Sequence, residues 1–218
     1  MSSDEKVIVF NSNSPDKTWS KSRKIFYDEQ FQENDSKPDE GVEVISVFLV
    51  NTHGDVLLQK RSPTKRHNPN LLDKTVGGHI QYGESPDYTV MVETVQELLT
   101  PSIVLRTDED FTKTFNLLKD YLDTIAVINH ISTDVVVVRK LSDGIEKKIT
   151  NKVHTYFGVY NGSTRPVDRE ALGILAYPLE TLISEIKQHP DNFTHDIVLY
   201  MQMYGKKLKE FIKNVNYA

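Results

Sequence analysis

The pattern of apolar and polar residues changes near residue 42. Before that point only residues 6–10, KVIVF, form an apolar run, which predicts a short strand. Residues 14–32 are polar with scattered aromatic side chains and predict one helix, and residues 33–41, ENDSKPDEG, predict a solvated linker. We therefore expect residues 1–41 to be an N-terminal extension that packs on the core or is partly flexible, and residues 42–218 to be the main domain.

The main domain begins with a predicted hairpin. The β-branched run VEVISVFLV and the run VLLQKR are separated by a turn around Gly54. Later apolar runs predict further strands: SIVLR, TIAVINH, DVVVVRK, KVHTYFGVY and LGILAY. Helical spacing of apolar residues predicts helices over residues 108–122, 178–189 and 193–214. Strands outnumber helices, so we predict an α/β or α+β sandwich with a mixed sheet, and not a doubly wound parallel fold.

A further helix is predicted over residues 86–99. Ser85 can cap it, Pro86 can occupy its first position, and Pro101 ends it. Its apolar residues recur at helical spacing and predict one buried stripe, which contains Tyr88, Met91, Val92, Val95, Leu98 and Leu99. Since successive residues are ~100° apart around a helix, Glu93, Gln96 and Glu97 share a neighbouring polar face.

Composition limits the classes of function. The formal net charge of −5 argues against nucleic acid as the main partner, because nucleic-acid binding needs clustered Lys and Arg. The chain has no cysteine, so a metal ion would be held by carboxylates, carbonyls or histidines, which favours a hard cation. No apolar run approaches the ~20 residues that cross a bilayer, so we expect no membrane association and a cytoplasmic protein.

The segment before this helix adds to its polar face. Residues 77–84, GGHIQYGE, predict a glycine-containing loop that ends in a carboxylate, Glu84. A loop carbonyl together with Glu84, Glu93 and Glu97 can converge on one Mg²⁺ ion, which takes oxygen ligands and bridges to phosphates. For two glutamates at this spacing taken alone, the simpler interpretation is a solvated helix face.

The whole segment resembles the signature of the Nudix hydrolases, G-x5-E-x7-R-E-U-x-E-E-x-G-U, in which U is an aliphatic residue. Gly78 and Glu84 match its opening, Glu93 matches the glutamate after the arginine, and Glu97 matches the second glutamate of the pair. Five residues depart from the signature: Val92 stands for the arginine, Gln96 for the first paired glutamate, Leu99 for the glycine, and Thr94 and Thr100 for aliphatic residues.

The resemblance implies a Nudix fold, in which a mixed β-sheet lies between α-helices, and an Mg²⁺ cofactor, with Mn²⁺ as an alternative. It implies that Glu93 and Glu97 are catalytic metal ligands and that Gly78, or Gly77 in its place, offers a carbonyl to the metal. By the same resemblance Gln96 is a weakened ligand without charge, and Glu84 lies at the edge of the site. The family's arginine orients the catalytic glutamates by ion pairing, and Val92 can only pack.

Two further residues are candidates for substrate binding. Arg61 lies on a basic turn before the box and can contact a diphosphate by charge-assisted hydrogen bonds. The alternative is a solvated basic turn, which we favour for Lys65 and Arg66. His79 can contact a phosphate or order a metal-bound water, and a loop histidine held by a turn hydrogen bond is an equal alternative.

Segments outside the box resemble the isopentenyl-diphosphate isomerase-like branch of the family, namely LLQKRSPTKRHNPNLLDKTVGGHIQYGES and EALGILAYPLETLISEIKQHPDNFT. The resemblance implies a Nudix pyrophosphohydrolase that cleaves a small-molecule diphosphate, either a nucleoside diphosphate derivative or an isoprenoid-like diphosphate. The alternative is a catalytically impaired Nudix-fold module that binds a ligand. Isomerase activity is disfavoured, because in the resembled family it uses a cysteine. A homodimer is left open.

Overall fold

The computed structural model describes residues 5–32, 39–142, 144–163 and 171–216. Its strands form one mixed sheet. In chain order they are β1 (Lys6–Asn11), β2 (Ser14–Ser22), β3 (Glu40–Val50), β4 (Asp55–Arg61), β5 (Leu72–Asp73), β6 (Val76–His79), β7 (Ser102–Leu105), β8 (Ala126–Ser142), β9 (Ile145–Val159) and β10 (Ala171–Pro178).

Strand β3 is the centre of the sheet. On one side it pairs in parallel with β9, from Gly41 opposite Thr150 to Val50 opposite Val159. On its other side β1, β6 and β4 pair with it antiparallel, one after another along its length. All of residues 41–50 are buried, which explains why apolar residues do not alternate with polar ones along this strand; its polar residues Glu43 and Ser46 are buried as well.

The remaining strands extend the sheet in the order β10-β4-β3-β9-β8-β7. Strands β8 and β9 form a long antiparallel hairpin, and β7 pairs in parallel with β8. The runs TIAVINH and DVVVVRK, predicted as two strands, are one strand, β8, whose register shifts between His130 and Ser132. The polar residues between the runs lie at this irregularity and do not end the strand.

Helices cover both faces of the sheet. The helices are α1 (Arg23–Gln30), α2 (Pro86–Leu98), α3 (Asp108–Leu118), α4 (Leu179–Gln188) and α5 (His195–Asn216). Because side chains alternate along a strand, Ile45 and Val47 of β3 pack with α2, whereas Phe48 belongs to the cluster that contains α3, α4 and α5. The predicted fold class, a mixed sheet between helices, is confirmed. Within the described ranges no helix has the length and apolar character needed to span a bilayer.

The prediction of one helix over residues 14–32 is wrong. Residues 14–22 form β2, which pairs antiparallel with β1, and only residues 23–30 are helical. Strand β2 has no buried residue and is held by its backbone pairing, which a search for apolar periodicity does not detect. Strand β1 contributes the buried side chains of Val7 and Val9. Residues 33–38 of the predicted linker lie outside the described ranges, and the division into an extension and a domain stays a prediction.

Candidate active site

The segment GGH, predicted as part of a loop, belongs to strand β6. Gly77 and Gly78 pair with Ser46 and Ile45 of β3, which fixes their backbone in the sheet. The chain then turns at residues 80–85, where Gly83 has a φ of +94°, a conformation that favours glycine. The backbone N–H of Glu84 donates to the carbonyl of Gln81 at 3.0 Å in this turn.

Helix α2 begins where the sequence predicts. The side chain of Ser85 accepts a hydrogen bond from the backbone N–H of Tyr88 at 3.2 Å, and Pro86 is the first helical residue. The helix ends at Leu98, and Leu99 adopts a left-handed conformation with a φ of 54° as its C-cap. Leu99 thus adopts the left-handed backbone conformation that glycine favours at this position, which is strained for a leucine.

The prediction that the apolar stripe of α2 is buried is right only for Leu98. Tyr88, Met91, Val95 and Leu99 are exposed, Leu99 to 68%, and Val92 is half-buried. The buried face of α2 instead contains Thr89, Val90, Thr94, Glu97 and Leu98.

The polar residues of this buried face have hydrogen-bond partners. The hydroxyls of Thr94 and Ser102 lie 2.9 Å apart, and the Thr89 hydroxyl donates to the carbonyl of Ser85 at 3.2 Å. Because these groups are satisfied inside the protein, threonine can replace aliphatic residues against the sheet. Hydrophobicity therefore did not identify the buried side of the helix.

Glu93 and Glu97 line one small cavity of about 100 Å³ between α2 and the sheet. Glu93 lies directly against β6: a Cβ atom added to Gly78 would be 2.3 Å from Glu93 Oε1. Glu97 is buried, and Gln59 of β4 donates a hydrogen bond from Nε2 to Glu97 Oε2 at 2.9 Å. The structure thus brings five of the predicted site residues to one cavity: Arg61, Gly78, His79, Glu93 and Glu97.

Basic side chains from distant parts of the chain line the same cavity. They are Arg23, Arg61, Lys65, Lys74 and Lys140. Of these basic residues, only Arg61 was predicted from the sequence to bind substrate. Arg23 belongs to the predicted extension, and Lys140 lies on the far hairpin. No local motif connects these residues, so only the tertiary structure reveals the cluster.

Arg61 and Lys74 are held by buried carboxylates. Arg61 donates to Asp73 Oδ2 at 3.0 Å and to the carbonyls of His67 and Asn68. Lys74 Nζ lies 3.2 Å from Asp73 Oδ1 and 3.0 Å from Asp196 Oδ2. Burial opposes the charged forms of Asp73 and Lys74, but their ion pairs outweigh it: the Asp73 pKa is lowered and the Lys74 pKa is raised. Both side chains therefore stay charged at neutral pH.

His79 is neutral in this site. Lys140 Nζ donates to the Tyr27 hydroxyl at 2.7 Å, and the same hydroxyl lies 2.7 Å from His79 Nε2. Since lysine can only donate, the Tyr27 hydroxyl can give its own proton to Nε2. Burial lowers the pKa of His79 well below its usual value, and the charges of Arg23 and Lys140 add to this effect.

His67, which also packs on Tyr27, has a lowered pKa as well. Its ring lies 4.7 Å from the ring of Tyr27 and stacks on Phe31 at 5.2 Å. Burial, together with nearby cations, lowers its pKa to about 3. The packing of these rings on His67 is a tertiary feature that the sequence pattern does not indicate.

A second, larger groove of about 510 Å³ lies beside the first cavity and shares three residues with it: Arg23, His79 and Glu93. Gln96 and Glu84 line this groove and not the cavity that contains Glu97. Gln96 is exposed. The structure therefore separates two predicted site residues, Gln96 and Glu84, from Glu97, while Glu93 lies at the junction.

Comparison with known proteins decides the family. The family model for the NUDIX domain matches residues 41–197. The chain belongs to the Nudix hydrolase family. A "Nudix hydrolase" from Deinococcus radiodurans is 41% identical over 59 residues, which are 27% of this chain and 34% of that protein. An "Isopentenyl-diphosphate Delta-isomerase" from Jannaschia sp. is 26% identical over 163 residues, 74% of this chain and 77% of that protein.

A solved structure supports the same Nudix fold. The crystal structure of DR0079 from Deinococcus radiodurans has a TM-score of 0.59 and 16% sequence identity, and the alignment covers 91% of this chain and 98% of that one. The family match begins at residue 41, so strands β1 and β2 and helix α1 precede it.

The donor atoms of the Nudix box fit a metal ion that substrate helps to hold. Among the described residues, no group of three or more His, Cys, Asp or Glu side chains could enclose a metal. Glu93 and Glu97 are nevertheless two carboxylates lining one cavity. Mg²⁺ commonly binds through one or two carboxylates, retains water and completes its shell with substrate phosphates. Such a site needs no third carboxylate.

Proposed function

We propose that this Nudix protein hydrolyses a small-molecule diphosphate in the cavity between α2 and the sheet. In this reaction a water oxygen binds phosphorus, and a phosphorus–oxygen bond of the diphosphate breaks. The observation that carries the proposal is the mixed charge of one cavity, in which Glu93 and Glu97 lie with five basic side chains. Carboxylates suit a divalent cation and basic groups suit phosphates, so a metal diphosphate matches both.

Glu93 and Glu97 are the proposed metal ligands, and one of them accepts the proton of the attacking water. Mg²⁺, or Mn²⁺ in its place, would polarise the phosphorus and lower the pKa of water. Gln59 donates to Glu97 Oε2 and thereby restrains that carboxylate. Gly78 allows Glu93 to approach β6, and a backbone carbonyl at this position is a further proposed ligand.

The basic residues neutralise the diphosphate. Arg61 and Lys74 are oriented by Asp73, so their positions are fixed before substrate binds. Fixed charges stabilise a transition state without the cost of reorganisation. His79 contributes no charge, because its pKa is low, and it is proposed to contact substrate as a neutral group. Glu84 and Gln96 line the outer groove, where they are proposed to influence the edge of the site.

The substrate class is a nucleoside diphosphate derivative or an isoprenoid-like diphosphate. The outer groove of about 510 Å³ is proposed to receive the group attached to the diphosphate, because it opens beside Glu93. A screen of both classes with Mg²⁺, with Mn²⁺ and with a chelator, following phosphate release, tests the proposal. We expect turnover that requires the metal. Turnover that persists in excess chelator would contradict the proposed chemistry.

The screen also separates this proposal from a ligand-binding module. The box has only two helix carboxylates on the cavity side, and Gln96 stands where the signature has a third. Binding of a diphosphate without turnover under any metal condition would favour the binding module. In that case Gln96→Glu would add only a charge on the outer face, whereas in a working site it should increase basal hydrolysis.

A further inference from the structure

The hydroxyl of Tyr27 lies between two nitrogen atoms of the candidate site. It is 2.7 Å from His79 Nε2 and 2.7 Å from Lys140 Nζ. His79 and Lys140 both line the cavity of the candidate site. Tyr27 belongs to α1, which precedes the residues that the family model matches. A side chain from outside the family match therefore contacts His79 directly.

The proton of the Tyr27 hydroxyl has one acceptor within reach. A charged lysine has three donors and no acceptor, so the hydroxyl oxygen accepts from Lys140. Among the described residues, the hydrogen-bond partners of this hydroxyl are His79 and Lys140, and Tyr27 is only 2% exposed. If His79 Nε2 carried a proton as well, the hydroxyl would face two donors and its own proton would be buried without an acceptor, which costs free energy. The hydroxyl therefore donates to Nε2.

This hydrogen bond decides the tautomer of His79. An imidazole whose Nε2 accepts a hydrogen bond is neutral and carries its proton on Nδ1. The Nδ1–H group is then the remaining polar group of the ring, and the ring lines both the cavity and the outer groove. His79 therefore meets a ligand in the site as a hydrogen-bond donor, which suits the oxygen atoms of a diphosphate.

Packing holds the Tyr27 ring in place. The ring meets Phe26 edge-on at 5.1 Å and lies 4.7 Å from the ring of His67. Lys140 Nζ lies 4.8 Å from the centre of the Tyr27 ring, so the cation also contacts the face of the ring. The position of the hydroxyl is therefore fixed before a substrate binds. In serine hydrolases a third group fixes the tautomer of the catalytic imidazole in a comparable way.

We propose that Tyr27, held by Lys140, is a positioning residue that fixes His79 as its Nδ1–H tautomer, so that His79 donates a hydrogen bond to the diphosphate. The inference rests on the proposed function, in which His79 contacts the substrate as a neutral group. It adds the direction of that hydrogen bond and the two residues that determine it. It also excludes a metal ion from Nε2, because the lone pair of that atom accepts the Tyr27 proton.

The test measures the tautomer of His79 in the metal-free protein without substrate. Long-range nitrogen–proton NMR of the imidazole distinguishes a protonated ring nitrogen from an unprotonated one, and in wild type we expect the proton on Nδ1. In Tyr27→Phe, which keeps the ring and its packing, the Nε2–H tautomer should appear, because Nε2 loses its donor. With the diphosphate substrate, kcat/KM of this variant should fall about tenfold, the effect of losing one correctly directed hydrogen bond.

A second variant and a control make the roles specific. Lys140→Met leaves the Tyr27 hydroxyl free to accept from His79, so the Nε2–H tautomer should appear in this variant also. Because the substitution removes a charge from the cavity as well, only its NMR spectrum is compared. Tyr121→Phe is the control, since Tyr121 is 60% exposed and lines neither the cavity nor the outer groove. It should leave the tautomer and kcat/KM unchanged.

Three results would overturn the inference. The first is a wild-type His79 that carries its proton on Nε2, and the second is one and the same tautomer in wild type, Tyr27→Phe and Lys140→Met. The third is a changed tautomer in Tyr27→Phe with unchanged kcat/KM, which would show that His79 does not donate to the substrate. If wild type hydrolyses no diphosphate, the proposed function fails, and the NMR spectra still decide whether Tyr27 fixes the tautomer. If Tyr27→Phe does not fold, Lys140→Met provides the comparison of tautomers.

Discussion

Helices α2 and α5 both carry an apolar stripe at helical spacing, and they use it in opposite ways. Helix α5 buries its stripe, which includes Ile197, Tyr200 and Leu208, in the main core. Helix α2 exposes Met91 and Val95 and buries threonine and glutamate instead. The same sequence pattern therefore predicts the orientation of one helix and fails for the other.

The difference arises from what each helix must face. Glu93 comes two residues after Met91, and Glu97 comes two residues after Val95, so each carboxylate lies about 200° around the helix from that exposed apolar residue. A rotation that buried Met91 and Val95 would carry the carboxylates away from the cavity. Glu97 is instead held inside by Gln59. The local sequence thus departs from the simplest packing pattern at the proposed active site, as is expected where site chemistry decides the orientation of a helix.

The largest expected effect is on catalysis. Glu97→Gln removes one of the two carboxylates that face the cavity, and hydrolysis should fall by about a hundredfold or more. Folding should be little changed, because a glutamine can still accept a hydrogen bond from Gln59. Steady-state rates and a melting curve of the same preparation check both statements. Glu109→Gln is the control, since Glu109 is exposed on α3 and pairs with Lys113. Equal rates in both variants would place the chemistry elsewhere.

A core substitution in helix α5 should lower stability, whereas Glu97→Gln in α2 should lower the rate. Leu208 is fully buried, so Leu208→Ala should lower the free energy of unfolding by about 2–5 kcal/mol. Leu117→Ala on α3 is the matched control, because Leu117 is 78% exposed, and it should change stability by less than about 0.5 kcal/mol. Urea unfolding measures both. A small effect at Leu208 would contradict the assignment of α5 to the core.

Gly78 connects the sheet to the carboxylates of α2. In Gly78→Ala the added methyl would lie 2.3 Å from Glu93 Oε1, so the Glu93 side chain must move. We expect a loss of rate of about ten- to a hundredfold with little loss of stability, because a flexible side chain can shift more readily than backbone. Gly173→Ala is the control, since an added Cβ at Gly173 meets no atom within 4 Å. Comparable rates in the two variants would show that the position of Glu93 does not limit catalysis.

Much of the fold could be predicted from the sequence, because its signals are local. The cap at Ser85 and Pro86 marked the start of α2, and the apolar run of β3 marked the central strand. Helical spacing placed Glu93 and Glu97 on one face of α2, and the resemblance to the Nudix signature marked them as metal ligands.

The rest of the site depends on tertiary structure. Arg23, Lys74 and Lys140 meet in one cavity although they lie far apart along the chain. No spacing rule connects them. Strand β2 was missed because a polar strand held by backbone pairing has no apolar pattern. The roles of Arg61, His79, Glu84 and Gln96 stay predictions.

The smallest expected effect tests the orientation of α2 directly, with one substitution at two positions of the same helix. Val90 is fully buried, whereas Val95 is 46% exposed. Val90→Ala should therefore cost about 2 kcal/mol of stability through lost contacts and a cavity. Val95→Ala should change stability by less than about 0.5 kcal/mol, because the lost contacts are few and alanine has the higher helix propensity. Urea unfolding of the two variants measures the difference. If Val95→Ala costs as much as Val90→Ala, the apolar stripe of α2 is covered in solution, and the contrast with α5 disappears.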